Sequence, residues 1–413
     1  MEVKTHKANL PRQVEIPPSK SLAQRFILAA ALSETTCRLF NTGYADDVKN
    51  LTRALEQSGA TVQKTDDGLI INGTGLTHGG VLNCGESGLA TRLIIPVMAA
   101  RGGKYVAEGR GSILKRSMTD IISLLNNHGL HVTNENEFLP FQFEGKLEAG
   151  TYTVDGSAGS QYLSGLMMAL PLLENDSCID VVNPTSTPYI DLTLQVLREF
   201  GIEISQINYT RFLIRGKQKY QPVKTEIVVE GDFSGASFWI TAGALSATGI
   251  SIHHLNKNSL QGDRILVEVV QKSGAKIEWK NDVLFVQQDK NLPFEFDATD
   301  VPDLFPPLVV LAAAARGESK IHGIKRLFNK ESNRALVLQK EFLKCGLQIH
   351  LVDNTMHISG TGKLESGLID ANHDHRIAMS AAIASLLTDE GISVTGAEAV
   401  NKSYPGFWDC WKK

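Results

Sequence analysis

LTRALEQSGATV, residues 51–62, is an amphipathic helical stretch that runs into a glycine and then an apolar residue at the head of a strand-like run. The pattern returns as IISLLNNHGLHV (121–132), TLQVLREFGIEI (193–204), LVEVVQKSGAKI (266–277) and LQKEFLKCGLQI (338–349). The glycines, Gly59, Gly129, Gly201, Gly274 and Gly346, are separated by 70, 72, 73 and 72 residues. So steady a period marks an internal repeat. Glycine in that place lets a helix end in a left-handed residue before a strand begins. After four of the five, turns such as Thr65-Asp66-Asp67-Gly68 and Lys280-Asn281-Asp282 join two strand-like runs, which reads as a hairpin.

A second pattern alternates with the first: SLAQRFILAAALS (21–33), GLATRLIIPVMAARG (88–102), SQYLSGLMMALPLL (160–173), SGASFWITAGALSATG (234–249), LFPPLVVLAAAARG (304–317) and RIAMSAAIASLL (376–387). These stretches are apolar almost all round and rich in Ala and Gly, so they predict buried, closely packed helices. Six buried helices against five amphipathic ones leave the last unit to be completed by both chain ends. The expected fold is α/β, two pseudo-threefold domains of three units each, helices inside and sheets outside. The expected division is 1–18 plus 231–413 for one domain and 19–230 for the other. The chain then crosses near Pro17-Pro18 and again near Glu230-Gly231-Asp232.

At 413 residues the chain is too long for a single small module. Lys and Arg number 41 against 45 Asp and Glu, a formal net charge of −4, which excludes long-range attraction to nucleic acid. The five cysteines are scattered with no C-x-x-C, so neither a disulfide framework nor a zinc site of the usual spacing is implied. MEVKTHKANLPRQVEIPP (1–18) has no apolar core for a signal peptide. The longest apolar runs, 93–100 and 308–315, fall far short of the ~20 residues of a membrane span. A cytoplasmic chain, neither secreted nor membrane-inserted, is expected.

The start of a buried helix carries unpaired N–H groups and a partial positive charge, an anion site. Here the six starts are Ser19-Lys20-Ser21 with Arg25, Glu86-Ser87-Gly88 with Arg92, Gly159-Ser160-Gln161, Asp232-Phe233-Ser234-Gly235, Asp303, and Asp374-His375-Arg376. Ser, Asp and Gly there also serve as plain caps. Lys20, Arg25, Arg92 and Arg376 do not cap N-termini and are opposed by the helix dipole, so four such residues point to a polyanionic ligand. His373-Asp374-His375 lacks a third ligand of metal-site spacing, and Gly360-Thr361-Gly362-Lys363 lacks the Ser/Thr of a phosphate loop and reads as a turn.

Seven motifs then carry a resemblance. They are Pro17-Pro18-Ser19-Lys20-Ser21-x-x-x-Arg25, Gly156-Ser157-x-x-Ser160-Gln161-Tyr162, Pro188-Tyr189-Ile190-Asp191, Glu230-Gly231-Asp232, Lys330-Glu331-x-x-Arg334, Asp374-His375-Arg376-x-Ala378-Met379 and Lys402-Ser403-Tyr404-Pro405. In order and spacing, from about residue 14 to 408, the chain resembles the 5-enolpyruvylshikimate-3-phosphate synthases. The resemblance implies two domains of three βαβαββ units, an inverse α/β barrel arrangement, with the active site in the cleft between domains. It implies transfer of the enolpyruvyl group of phosphoenolpyruvate to the 5-hydroxyl of shikimate 3-phosphate with release of phosphate. No metal or organic cofactor is implied, and a monomer acting on small molecules alone is expected.

Matched residue by residue, the resemblance places Ser21 and Arg25 on the shikimate carboxylate and Ser160 and Ser186 on its phosphate. Gln161 and Tyr189 fall around its ring, and Lys330 falls near the same substrate. Phosphoenolpyruvate falls to Arg116, Arg334, Arg376 and Lys402, with Gly88 and Gln161 beside it and Lys20 between both ligands. Asp303 matches the base at the attacking hydroxyl, and Glu331 the acid at the methylene. Addition needs such a base, such an acid, and cations where charge builds up. Against these stand plainer readings: Asp303 as an N-cap, 330–334 as a solvated helix start, and Tyr189 as an ordinary half-buried tyrosine.

The chain departs from the family at Glu86 and Leu89, where Asn and Thr are usual, and at Gly159, Arg326 and Ser117. A carboxylate at Glu86 is unfavourable beside an anionic ligand, so a nearby cation is expected to pair with it. Leu89 is expected to tighten the phosphoenolpyruvate pocket against analogues such as glyphosate. The nearest rival, an enolpyruvyl transferase acting on a UDP-amino sugar, carries a reactive cysteine in a loop that here, over 108–115, has none. RNA 3′-terminal phosphate cyclases would need a nucleotide site and a nucleophilic histidine. A non-catalytic paralogue would be expected to lose Asp303, Glu331 or Lys20, and all three are present.

Overall fold

All five repeat glycines adopt the left-handed backbone, with φ between +72° and +100°, and an antiparallel hairpin follows each of them. The computed structural model describes residues 1–411 apart from positions 135 and 329. The chain divides into two units, Lys20–Val229 and Met1–Ser19 with Glu230–Lys413.

Unit Lys20–Val229 holds the helices α1 (Lys20–Ala31), α2 (Asp46–Gln57), α3 (Gly88–Arg101), α4 (Thr119–Asn127), α5 (Gln161–Ala169) and α6 (Thr187–Glu199). Its middle repeat shows the plan: strand Gly80–Asn83, α3, strand Gly103–Glu108, α4, then the hairpin Leu130–Thr133 and Phe141–Gly145. The first two strands are parallel and the hairpin closes on them antiparallel. The strands alternate buried and exposed residues, so each sheet covers helices with one face and meets solvent with the other. α1, α3 and α5 are buried on all sides, and α3 packs against both others. The small residues make this close approach possible: a Cβ on Gly165 of α5 would collide with the Arg92 carbonyl oxygen of α3. α2 is two-faced, burying Val48, Leu51 and Leu55 while Lys49 and Arg53 stay exposed.

The other unit repeats the plan with α7 (Phe233–Ala244), α8 (Leu266–Lys272), α9 (Phe305–Ala314), α10 (Arg334–Leu343), α11 (His375–Ala384) and the short α12 (Phe407–Trp411). Here α7, α9 and α11 form the buried centre and pack on one another. Each unit is therefore a barrel turned inside out, with helices within and sheets without.

Each unit takes in one strand from beyond its own first helix in sequence. Gln13–Glu15 precedes α1 in sequence but pairs in parallel with Ile250–His253 behind α7. Glu226–Val228 precedes α7 but pairs in parallel with Cys37–Phe40 behind α1. Where the chain crosses, Ser19 N donates to Glu230 O over 2.8 Å and Asp232 N to Pro17 O over 2.9 Å. The last repeat is completed by both ends. Glu2–Thr5 pairs antiparallel with Ile392–Thr395 in a three-stranded sheet, and α12 sets Phe407 and Trp411 against Trp239, ring centroids 5.1 and 5.7 Å away. Among the described residues no helix is long and apolar enough to cross a membrane.

Candidate active site

In the unit that holds both termini, the starts of α9, α10 and α11 bring charged residues together. Arg334 opens α10 and is fully buried, a place where the helix dipole and lost hydration both oppose a cation. Three carboxylates offset this. Its Nε and Nη2 donate to the two oxygens of Asp374 over 2.9 and 3.2 Å, its Nη1 donates to Asp303 Oδ1 over 2.9 Å, and its Nη2 to Glu331 Oε2 over 2.7 Å. Burial alone would lower the Arg334 pKa, and Asp374, Glu331 and Asp303 together raise it above the ordinary value. Asp374 also caps α11, accepting from Arg376 N over 3.0 Å, so one carboxylate starts one helix and anchors the arginine of another.

Asp303 sits in the 3-10 turn Pro302–Leu304 ahead of α9. Its Oδ2 accepts from Arg376 Nη2 over 3.1 Å, and Lys330 Nζ stands 3.5 Å from Oδ1. Burial pushes its carboxyl up, but Arg376, Lys330 and Arg334 outweigh that and hold it well below the usual carboxylate range. The plain N-cap reading therefore fails: its oxygens go to guanidinium groups. Lys330, by contrast, is pulled below the usual lysine range, chiefly by burial. Lys402 Nζ donates to His373 O over 3.1 Å. Asp263, which sequence reasoning missed, lies behind this group. It is buried, its Oδ1 has no hydrogen-bond partner, and burial followed by the charge of Asp303 push its carboxyl up to about 7.

The unit Lys20–Val229 has its own set. Lys20, first in α1, pairs with Asp47 of α2, Nζ to Oδ2 2.9 Å. Arg25, one turn on, is fully buried and bonds only neutral oxygens: Nε to Thr193 Oγ1 over 2.8 Å, Nη1 to Ser21 O over 2.9 Å, and Nη2 to Ser164 Oγ and Tyr189 O, each over 3.3 Å. Burial pushes its pKa down to about 10. Among the described residues no carboxylate bonds this buried guanidinium. Ser160 precedes α5 and makes no side-chain cap, with Gln161 the first helical residue. Ser186, buried and left-handed at φ +57°, precedes α6, and Tyr189 lies half-buried in the first turn of that helix.

At α3, Gly88 lies beneath two arginine side chains, which a side chain there would displace. A Cβ there would collide with Nη1 of Arg116 and come within 3.0 Å of Nη1 of Arg92. The Arg92 guanidinium also lies 4.9 Å from the centre of the Tyr162 ring. Leu89 is partly buried and packs on the core of this unit. Glu86 meets Ser112, and Arg326 donates to Thr299 O over 3.3 Å. Each unit thus gathers its own share of the expected residues. Within them, Asp47, Thr193 and Ser164 are partners that sequence reasoning did not single out, and Asp374, read there as a helix start, also anchors Arg334. Among the described residues no group of three or more His, Cys, Asp or Glu side chains is placed to hold a metal ion.

Comparison with known proteins bears on these arrangements. The family described as EPSP synthase (3-phosphoshikimate 1-carboxyvinyltransferase) matches residues 4–411. A protein of Clostridium acetobutylicum named 3-phosphoshikimate 1-carboxyvinyltransferase is 36% identical over 418 residues, covering 100% of this chain and 96% of its own. One of the same name from Clostridium novyi is 34% identical over 423 residues, covering 100% and 97%. Among solved structures, EPSP synthase from Acinetobacter baumannii matches with a TM-score of 0.79 at 23% identity, over 99% of this chain and 97% of that one. The enolpyruvyl transferase NikO from Streptomyces tendae reaches the same 0.79 at 15% identity, over 99% and 96%. The structural matches speak to the fold alone; the full-length sequence matches go further, and the chain belongs to the EPSP synthase family, the 3-phosphoshikimate 1-carboxyvinyltransferases.

Proposed function

We propose that the chain transfers the 1-carboxyvinyl group of phosphoenolpyruvate to the 5-hydroxyl of shikimate 3-phosphate, releasing phosphate, with the residue roles that follow. The observation that carries these roles is the cluster around Arg334, in which two carboxyl groups, the proposed base Asp303 and the proposed acid Glu331, share a single buried cation. Asp303 takes the proton of the 5-hydroxyl as its oxygen bonds to C2 of phosphoenolpyruvate, and Glu331 delivers a proton to C3. The tetrahedral intermediate then returns a proton from the new methyl group to Glu331 as the C2–phosphate oxygen bond breaks, and the phosphate leaves with the proton held by Asp303.

Arg334, Arg376, Lys402 and Arg116, with Gly88, take the phosphoenolpyruvate anion in this reading, and Lys20 serves both ligands. Arg25 and Ser21 take the shikimate carboxylate and Ser160 and Ser186 the phosphate, with Gln161, Tyr189 and Lys330 around them. The charge arrangement gives this an order. While Arg334, Arg376 and Lys330 surround Asp303 it is a weak base, because its proton affinity is far below working pH. An arriving anion draws those cations toward itself and restores basicity to Asp303 at the moment of reaction. The chain acts in this reading as a cytoplasmic monomer in aromatic amino-acid biosynthesis, and size-exclusion chromatography with light scattering tests the monomer.

The deciding experiment is phosphate release by the purified protein with phosphoenolpyruvate and, in turn, shikimate 3-phosphate, UDP-N-acetylglucosamine or no acceptor. Release with shikimate 3-phosphate alone is expected. Release with the UDP-sugar would move the chain to the rival transferase, and silence from folded protein would make it a binding paralogue.

A further inference from the structure

Glu86 stands one place before Ser87, and Ser87 alone serves as the cap of α3, its Oγ accepting from Ala90 N over 3.3 Å. Freed from capping, the Glu86 carboxylate turns to the segment 109–116. Its Oε2 accepts from both the backbone N–H and the hydroxyl of Ser112, over 3.2 and 3.0 Å. Next to it, Gly85 O accepts from Arg110 N over 3.0 Å. Two consecutive residues at the start of α3 therefore hold residues 110 and 112.

Gly111, between them, is left-handed at φ +61°, and a Cβ on it would collide with the Glu86 carboxyl group, 2.7 Å from Oε2. The turn closes onto the carboxylate, so a side chain at 111 would strain the backbone and push the Glu86 carboxyl group aside. The 3-10 turn Gly111–Lys115 then leads straight to Arg116, whose N–H donates to O of the buried Ile113 over 3.1 Å and whose guanidinium lies against Gly88.

We propose that Glu86 is a positioning residue, a latch that fastens the 109–116 segment to the start of α3 and so sets the Arg116 guanidinium for phosphoenolpyruvate. This rests on the reading above in which Arg116 binds that substrate. The donors of Ser112 also take up the negative charge that would otherwise face an anionic ligand.

Two readouts test the latch. The first is steady-state kinetics of the wild type, Glu86→Ala, Glu86→Gln and Ser112→Ala. Glu86→Ala is expected to raise the KM for phosphoenolpyruvate about tenfold while kcat and the KM for shikimate 3-phosphate stay within about twofold. Glu86→Gln keeps an acceptor oxygen and is expected within about threefold of wild type, with Ser112→Ala between the two. The second is trypsin cleavage after the exposed Arg110 and Lys115, which is expected to quicken about tenfold in Glu86→Ala and little in Glu86→Gln. An unchanged phosphoenolpyruvate KM in Glu86→Ala, or a Glu86→Gln as impaired as the alanine variant, overturns the proposal. Inactive wild-type protein would sink the functional reading instead, and the cleavage rates would still decide the latch: equal rates overturn it.

Discussion

Nη1 of Arg334 lies 2.9 Å from Oδ1 of Asp303, so the residue proposed as base is held by a residue proposed to bind the donor anion. The same guanidinium supports Asp374 and Glu331. Replacing Arg334 by Met would leave three carboxylates around a buried, uncharged side chain. We expect a loss of about 3–5 kcal/mol, which for a unit of this size lowers the melting temperature by about 10 °C. A thermal melt checks it, and a fall of under about 2 °C would mean that the three carboxylates relax away from one another.

Arg25 offers the contrast, being equally buried but bonded only to neutral oxygens. Arg25→Met is expected to cost about 1–2 kcal/mol, the desolvation of acceptors left unpaired, well short of the Arg334 variant. Its effect on ligand should be the larger one, about a hundredfold weaker binding of shikimate 3-phosphate in titration calorimetry. Comparable losses of stability in the two variants would refute the claim that Arg25 is kept for an incoming anion.

Asp303→Asn retains size and most contacts but cannot take a proton. A fall in kcat of about a thousandfold is expected, with the affinity for shikimate 3-phosphate within about threefold. Single-turnover phosphate release gives kcat free of product release, and residual activity above a tenth of wild type would assign the base elsewhere.

Asp263 makes the fold pH-dependent. Its carboxyl, about 7 when folded against an ordinary 3.8, binds its proton more tightly in the folded state. Stability from this group is therefore fully present below about pH 4 and is lost as pH rises through about 7. Asp263→Asn removes that loss, so its melting temperature should gain on the wild type between pH 5 and pH 8 by about 4 °C or more. A constant difference across that range would show that Asp263 is not protonated in the native state.

How far the chain discloses its own structure follows from which features are periodic. The repeat was legible because Gly59, Gly129, Gly201, Gly274 and Gly346 each answer one local need, a left-handed residue between helix and strand. The strand partners beside the two crossings were not, since nothing local to Gln13–Glu15 says that it pairs with Ile250–His253. In the site, Lys20, Arg25 and Arg376 stood out by opposing a helix dipole. Asp47 did not, and Asp374 showed only as the start of α11, because an acidic residue at a helix start suits the dipole whatever else it does. Asp263, inside Gln-Gly-Asp-Arg, has the composition of a solvated turn; only the packing of α7 against it makes it buried. Thr193 and Ser164 look like incidental hydroxyls until both are found on Arg25. Glu86 looked like a liability beside an anion, and its bonds to Ser112 required the path of a loop that no spacing specifies.

The pairing of Glu2–Thr5 with Ile392–Thr395 sets a schedule for synthesis. Residue 2 leaves the ribosome with its strand partner, residue 395, still untranslated, and at about 5–20 residues per second the interval is on the order of 20–80 s. Unit Lys20–Val229 has all its strands in hand once residue 228 has emerged, so it folds while the nascent chain is still growing. Its sister must hold a loose N-terminal tail in reserve, Val14 until Ile250–His253 has emerged and Val3 until the last repeat arrives. A nascent chain stalled after residue 390 should accordingly carry one protease-resistant half and one that chaperones still recognise.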